Sequence, residues 1–193
     1  MHLNNLKKFY FIDEFNKDHL KNLDNNTAII YRNYTKKYDQ SLIFKIKKFC
    51  KSKNLKFFLA NDINLAIKLR LDGIYVPAFN KRINIIKAKL HDLMCLGSAH
   101  NIKEINEKKR QGVDLIFLAP IFKVNKKKHF LGVNKFNHLA MNKKISFIAL
   151  GGINETNIKK INLLNCYGFA GIRWIKKNGL RKLRPFLNCL NSY

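Results

Sequence analysis

A chain of 193 residues, 47% hydrophobic with 15 Phe and 7 Tyr, carries a core for one domain that buries roughly 70% of its unfolded surface, which excludes disorder. The net charge of +26 invites a polyanion, but the lysines are spread over nearly every segment among abundant Asn and Ile, as A+T-rich coding produces. No zinc-finger, aromatic-basic or glycine-arginine signature accompanies them, so no specific nucleic-acid partner is expected.

The first apolar run, residues 9–12, reads as a strand, and residues 27–31 as a second, ending at Arg32. Residues 40–52 follow as a helix with Leu42, Ile43, Ile46 and Phe49 on one face. A third strand, residues 57–60, runs into Asn61 and Asp62, and Asp62 is a good N-cap for a helix over 63–71. Residues 73–76 form a fourth strand stopped by Pro77, and a short helix over 83–90 precedes a fifth at 93–96, ending in Gly97-Ser98-Ala99-His100. The helix 102–110 closes at Gly112, and the sixth strand, 114–119, ends at Pro120. A long loop from 122 to about 133 containing Lys126-Lys127-Lys128 leads into a helix at 136–141. The seventh strand, 146–150, breaks at Gly151-Gly152 before a helical pattern from Glu155, the eighth is 168–172, and a last helix over 180–190 is interrupted at Pro185.

Eight continuous apolar strands alternating with helical segments give the count of a single-domain α/β (β/α)8 TIM barrel over residues 1–193. A doubly wound open sheet is the alternative, against which stands the lack of a G-x-G-x-x-G after the first strand. The four cysteines, Cys50, Cys95, Cys166 and Cys189, show no C-x-x-C spacing and predict a reducing cytoplasmic setting. The N-terminus has no uninterrupted apolar stretch of a signal peptide, and no stretch approaches the roughly 20 apolar residues of a bilayer span, so no membrane is expected.

In such a barrel the chemistry gathers at the carboxyl ends of the strands. Those positions hold Arg32, Asn61-Asp62, Ser98 with His100, Pro120, Gly151-Gly152 and Gly171. A cation, a carboxylate, amides and two glycine turns suit a phosphorylated small molecule and Mg²⁺, the glycines letting an oxyanion approach bare backbone amides. Each residue also has a plainer reading: Asp62 as an N-cap, Ser98 as a partner of a neighbouring amide, Arg32 in a surface ion pair, Gly151-Gly152 as a tight turn.

The order of segments resembles the thiamine phosphate synthase/TenI family. The landmarks are Phe58-Leu59-Ala60-Asn61-Asp62 with Leu65-Ala66, Asp72-Gly73-Ile74-Tyr75-Val76, Gly97-Ser98-Ala99-His100 and Gly112-Val113-Asp114. They continue with Ala119-Pro120-Ile121-Phe122, Ala149-Leu150-Gly151-Gly152-Ile153 and Gly168-Phe169-Ala170-Gly171-Ile172. The resemblance implies the barrel and a synthase that joins hydroxymethylpyrimidine pyrophosphate to a thiazole phosphate, releasing pyrophosphate with Mg²⁺. By position it implies that Arg32 and Asn61 contact pyrimidine or pyrophosphate, Asp62 binds Mg²⁺, Ser98 and Lys127 hold pyrophosphate, and Gly151, Gly152 and Gly171 bind the thiazole phosphate. It leaves homo-oligomerisation open.

The chain departs from the family pattern at Arg32-Asn33-Tyr34, which lacks the usual lysine, at Tyr75 in place of a histidine, and at Asn80 in place of a second magnesium aspartate. Val124-Asn125-Lys126-Lys127 loses two threonine hydroxyls, and Arg173 and Lys176 stand where smaller residues are usual. These changes leave a TenI-like protein that binds or isomerises a thiazole or thiamine phosphate as the alternative. No histidine lies in the last two strands to serve as the isomerase's base, which favours binding over isomerisation.

Overall fold

The computed structural model describes residues 6–35, 38–125, 129–141 and 145–171. The expected Ile172 strand end, the last helix, Cys189 and the basic residues Lys126, Lys127 and Lys128 lie outside them. Eight strands form one closed parallel barrel in chain order, with the last pairing the first. They are β1 (Lys7–Ile12), β2 (Thr27–Tyr31), β3 (Lys56–Ala60), β4 (Gly73–Val76), β5 (Met94–Ala99), β6 (Leu115–Leu118), β7 (Ser146–Leu150) and β8 (Gly168–Ala170). The helices are α1 (Lys17–Leu20), α2 (Gln40–Ser52), α3 (Ile63–Lys68), α4 (Ile86–Leu90), α5 (Ile102–Gln111) and α6 (Gly132–Ala140).

Strand period two divides the apolar side chains into two cores. Phe9, Phe11, Ile30, Phe58, Tyr75, Leu96, Phe117, Ile148 and Leu150 fill the barrel interior. Their neighbours Tyr10, Ile29, Leu59, Ile74, Cys95, Ile116, Phe147 and Phe169 point outward beneath the helices. Both faces of every strand are therefore buried, which is why the strands read as unbroken apolar runs. Inside, Phe117 stands edge-on to Phe9 at 5.1 Å and to Phe11 at 5.3 Å between ring centroids, so the barrel is a packed core.

Several elements differ from expectation. β5 continues through Gly97 and Ser98, because α5 packs onto the glycine: a Cβ there would sit 3.1 Å from Val113 Cγ2 and 3.2 Å from Lys108 Cδ. α6 begins at Gly132, earlier than the apolar pattern indicates. After the glycine pair no α-helix forms. Asn154 Oδ1 accepts from the Thr156 and Asn157 amides in a tight turn, and only a 3₁₀ segment, Ile158–Leu163, follows. The short α1, capped by Asn16, has too few apolar residues to announce itself.

Cys50, Cys95 and Cys166 are free, buried thiols, and burial pushes them up to about 12, 11 and 11. They pack as small hydrophobes outside the barrel and are not poised as nucleophiles. Among the described residues no helix is long and apolar enough to cross a membrane.

Candidate active site

Inward alternation aims the rim residues. Ala28 and Ile30 face the barrel axis, so Arg32, two residues on, continues the inward set of β2; Leu96 faces in, and so does Ser98 on β5. Arg32 is held at the rim by its own N–H, which donates to the Ile12 carbonyl at 2.8 Å. Its guanidinium carbon lies 4.8 Å from the Phe11 ring centroid and 5.8 Å from that of Tyr34. The phenols of Tyr34 and Tyr75 also meet it. Among the described residues no carboxylate pairs with Arg32. A guanidinium set against aromatic faces, with no carboxylate paired to it among the described residues, is suited to receive an anion.

β3 supplies the next two groups. Asn61 takes a positive φ of 62°, a conformation Asn tolerates, and its N–H donates to the Tyr75 carbonyl at 3.0 Å. That left-handed residue turns the chain into α3, and Asp62 Oδ1 accepts from the Leu65 N–H at 2.9 Å as the N-cap. The expected capping role of Asp62 therefore holds, and its second carboxylate oxygen remains for a cation. Asn61 Oδ1 accepts from Asn80 Nδ2 at 3.0 Å, and Asn80 Oδ1 accepts from the Ile83 N–H at 3.2 Å. Both ends of the Asn80 amide are thus committed.

Outside this arc lies a cleft of about 650 Å³, lined by Tyr34, Tyr38, Asn61, Asp62, Phe79, Asn84 and Lys87 among others. Tyr34 and Phe79 meet edge to face at 5.2 Å across its mouth. Burial raises the Tyr34 phenol and pushes Tyr38 up to about 12, so both stay protonated donors. Neither Tyr34 nor Phe79 stands out in the sequence as a ligand contact, since an isolated aromatic in a polar loop carries no spacing signal.

Mg²⁺ is expected at Asp62. Among the described residues no three His, Cys, Asp or Glu side chains gather as metal ligands. The cleft lining contributes one carboxylate, Asp62, with one oxygen already capping α3. That donor set fits a Mg²⁺ that arrives with substrate phosphates, since Mg²⁺ keeps most of its water and takes one or two carboxylates plus phosphate oxygens.

Across the barrel mouth, four strands from β3 in either direction, stand the glycines of β7. Gly151 has φ +92° and Gly152 φ +75°. A Cβ on Gly152 would lie 2.4 Å from the Phe122 carbonyl oxygen, and one on Gly151 would lie 3.0 Å from Pro120 Cα. The crossing 120–123 segment is therefore sufficient cause for both glycines. It is locked there by Ile121 N–H to Leu150 O at 2.9 Å and Phe122 N–H to Gly151 O at 3.1 Å. Gly171 follows β8 directly and is buried. His100 proves structural: Nδ1 lies 2.7 Å from the Ala119 carbonyl oxygen.

The structure thus gathers Arg32, Asn61, Asp62 and Ser98 on the contiguous β2–β5 arc, with Gly151, Gly152 and Gly171 on the β7–β8 arc facing it. Lys127 lies outside the described residues.

A family model described as thiamine monophosphate synthase matches residues 17–175. A thiamine-phosphate synthase of Methanococcus vannielii is 28% identical over 128 residues, 65% of this chain and 62% of that protein. One of Anoxybacillus flavithermus is 27% identical over 132 residues, 66% of this chain and 61% of that protein. One of Prochlorococcus marinus subsp. pastoris is 31% identical over 150 residues, 76% of this chain and 39% of that protein. The chain thus spans under two thirds of the length of these relatives. Among solved structures, a thiamine phosphate pyrophosphorylase from Pyrococcus furiosus has the same fold, with a TM-score of 0.77 at 20% identity over 96% of each chain.

Proposed function

We propose, from the premise that the chain belongs to the thiamine monophosphate synthase family, that it works in thiamine biosynthesis as a single-domain cytoplasmic transferase. It joins hydroxymethylpyrimidine pyrophosphate to thiazole phosphate and releases pyrophosphate. The observation that carries this reading is the Arg32 guanidinium at the end of β2, unpaired with any carboxylate among the described residues, with β3 beside it ending in Asn61-Asp62.

The bond between the pyrimidine methylene and the pyrophosphate oxygen breaks first, its electron pair leaving with pyrophosphate. The thiazole nitrogen lone pair then closes on the resulting carbocation. No proton needs to move in either step, so the protein's work is neutralising the leaving group. Arg32 and Ser98 take its oxygens, and Lys127 adds charge from the loop after β6. Asn61 fixes the pyrimidine side, and the Gly151-Gly152 turn with Gly171 seats the thiazole phosphate opposite. Asp62 would hold Mg²⁺, which supplies further neutralisation of the phosphates when bound.

Asn80 favours a second reading, in which a thiazole or thiamine phosphate binds without condensation. Its amide is tied on both sides and offers no second anionic ligand. A direct assay decides. With both substrates and Mg²⁺ the protein yields thiamine phosphate, and Arg32→Ala lowers turnover by about 10² or more, the usual loss for one charge-stabilising donor. Thermal stabilisation by thiazole phosphate without product establishes the binding reading instead.

A further inference from the structure

We propose that Tyr75 is a positioning residue of the anion site, its hydroxyl bridging the Arg32 guanidinium and the Ser98 hydroxyl so that both address one oxyanion. The inference rests on the reading of Arg32 and Ser98 as the leaving-group site and adds a third strand to it.

Tyr75 lies on β4, facing into the barrel between the arms that carry the other two residues, and is only 2% exposed. Its ring is fixed edge-on to Phe11 at 5.1 Å and to Phe117 at 5.7 Å. Phe11 is the same ring over which Arg32 lies, at 4.8 Å, so ring, guanidinium and phenol form one packed unit. The phenol meets Ser98 and Arg32, the polar partners that offset its burial.

The donor inventory fixes the direction of this chain. A guanidinium only donates, so the Tyr75 oxygen accepts from Arg32. The phenolic proton is then left for Ser98 Oγ. Ser98, having accepted, turns its own proton outward, where an anion takes it. Burial raises the phenol above its ordinary value, so that proton stays on the oxygen around neutral pH. A ring serving as packing alone has no need of this hydroxyl.

The test is the affinity for inorganic pyrophosphate with Mg²⁺, by titration calorimetry at about 0.15 M NaCl, for the parent, Tyr75→Phe, Ser98→Ala, the double variant and Arg32→Ala. Tyr75→Phe keeps the ring and its edge contacts, so its melting curve reports whether the fold survives. The expected result is a roughly tenfold weaker Kd for Tyr75→Phe, the usual loss of a hydrogen bond in a charged network. The double variant should lose clearly less than the product of the two single losses, because part of what Tyr75 does it does through Ser98. Unchanged affinity in Tyr75→Phe, or losses that multiply in the double variant, overturns the proposal while Arg32→Ala still abolishes binding. If Arg32→Ala binds pyrophosphate as the parent does, the leaving-group reading itself falls, and the role of Tyr75 with it.

Discussion

Lys108 is the residue whose environment departs furthest from its chemistry. It is 0% exposed on α5, and its Nζ donates to the Asn80 carbonyl at 2.8 Å and to Gln111 Oε1 at 2.7 Å. Burial lowers its amine to about 8, with Glu107 and Glu104 opposing that change and Lys81 adding to it. The folded state therefore releases this proton near pH 8 and the unfolded chain near 10.5. Between those values the unfolded state binds more protons, so the group's contribution makes stability rise with pH. Relative to Lys108→Met, the parent should gain stability from pH 8 to 10.5. The gain is on the order of 1 kcal/mol for each step of one in pH, read by urea unfolding. A difference that stays flat across that window contradicts the assignment. The sequence around it, Glu107-Lys108-Lys109-Arg110, looks like a solvated basic run. Only its spacing of three from Ile105 hints that one lysine falls on the buried face. Arg32 and Ser98 were legible because they follow apolar strands with inward parity. Tyr75 passes for ordinary core, since a phenol in an apolar run shows nothing of where its hydroxyl points.

At the scale of elements, the strands were legible because parallel strands bury both faces, and their ends supplied the candidate site residues. The turn after β7 is less transparent. A glycine pair before a helical pattern suggests an anion cradle at a helix N-terminus, yet Asn154 and Asn157 tie the chain into a tight turn with only 3₁₀ structure beyond. Those glycines are demanded by a segment distant in sequence, 120–123, which no local pattern reveals. The consequence is testable. Gly152→Ala places a Cβ against a hydrogen-bonded backbone at φ +75°, so it should cost about 2–3 kcal/mol and lower Tm by roughly 5–10 °C. A melting curve unchanged within about 2 °C would show that the 120–123 crossing yields easily. For the same reason Gly151→Val, with φ +92°, strains the turn and is a poor probe of phosphate binding. The proposed pyrophosphate site is better open to substitution, since replacing Arg32 or Ser98 leaves the backbone alone.

The charge acts on the molecule as a whole. Lys and Arg number 38 against 12 Asp and Glu. The described ion pairs join Lys21 to Asp18, Lys56 to Asp72, Lys81 to Glu107 and Lys89 to Asp114 at or near the surface, and a buried Lys8 to Asp24. Exposed pairs of this kind contribute about 0–1 kcal/mol each, whereas uncompensated like charge repels across the whole compact state. Barrel closure does not depend on that charge: β1 and β8 meet through Lys7–Gly168 and Phe9–Ala170 pairing, and nothing in either strand's own sequence announces the contact. The two effects separate by ionic strength. At about 0.5 M NaCl the screening length falls below roughly 5 Å, so repulsion weakens while the apolar cores are untouched. Tm should therefore rise by a few degrees from about 20 mM to about 0.5 M NaCl. In the same series retention on DNA should vanish, because it rests on released counterions alone. Thermal stabilisation by thiazole phosphate should persist, since the seat proposed for it at Gly151-Gly152 relies on backbone amides rather than on side-chain charge. A Tm that falls with salt would mean the surface pairs outweigh the repulsion. DNA binding that survives about 0.5 M NaCl would mean that the charge serves a specific polyanion after all.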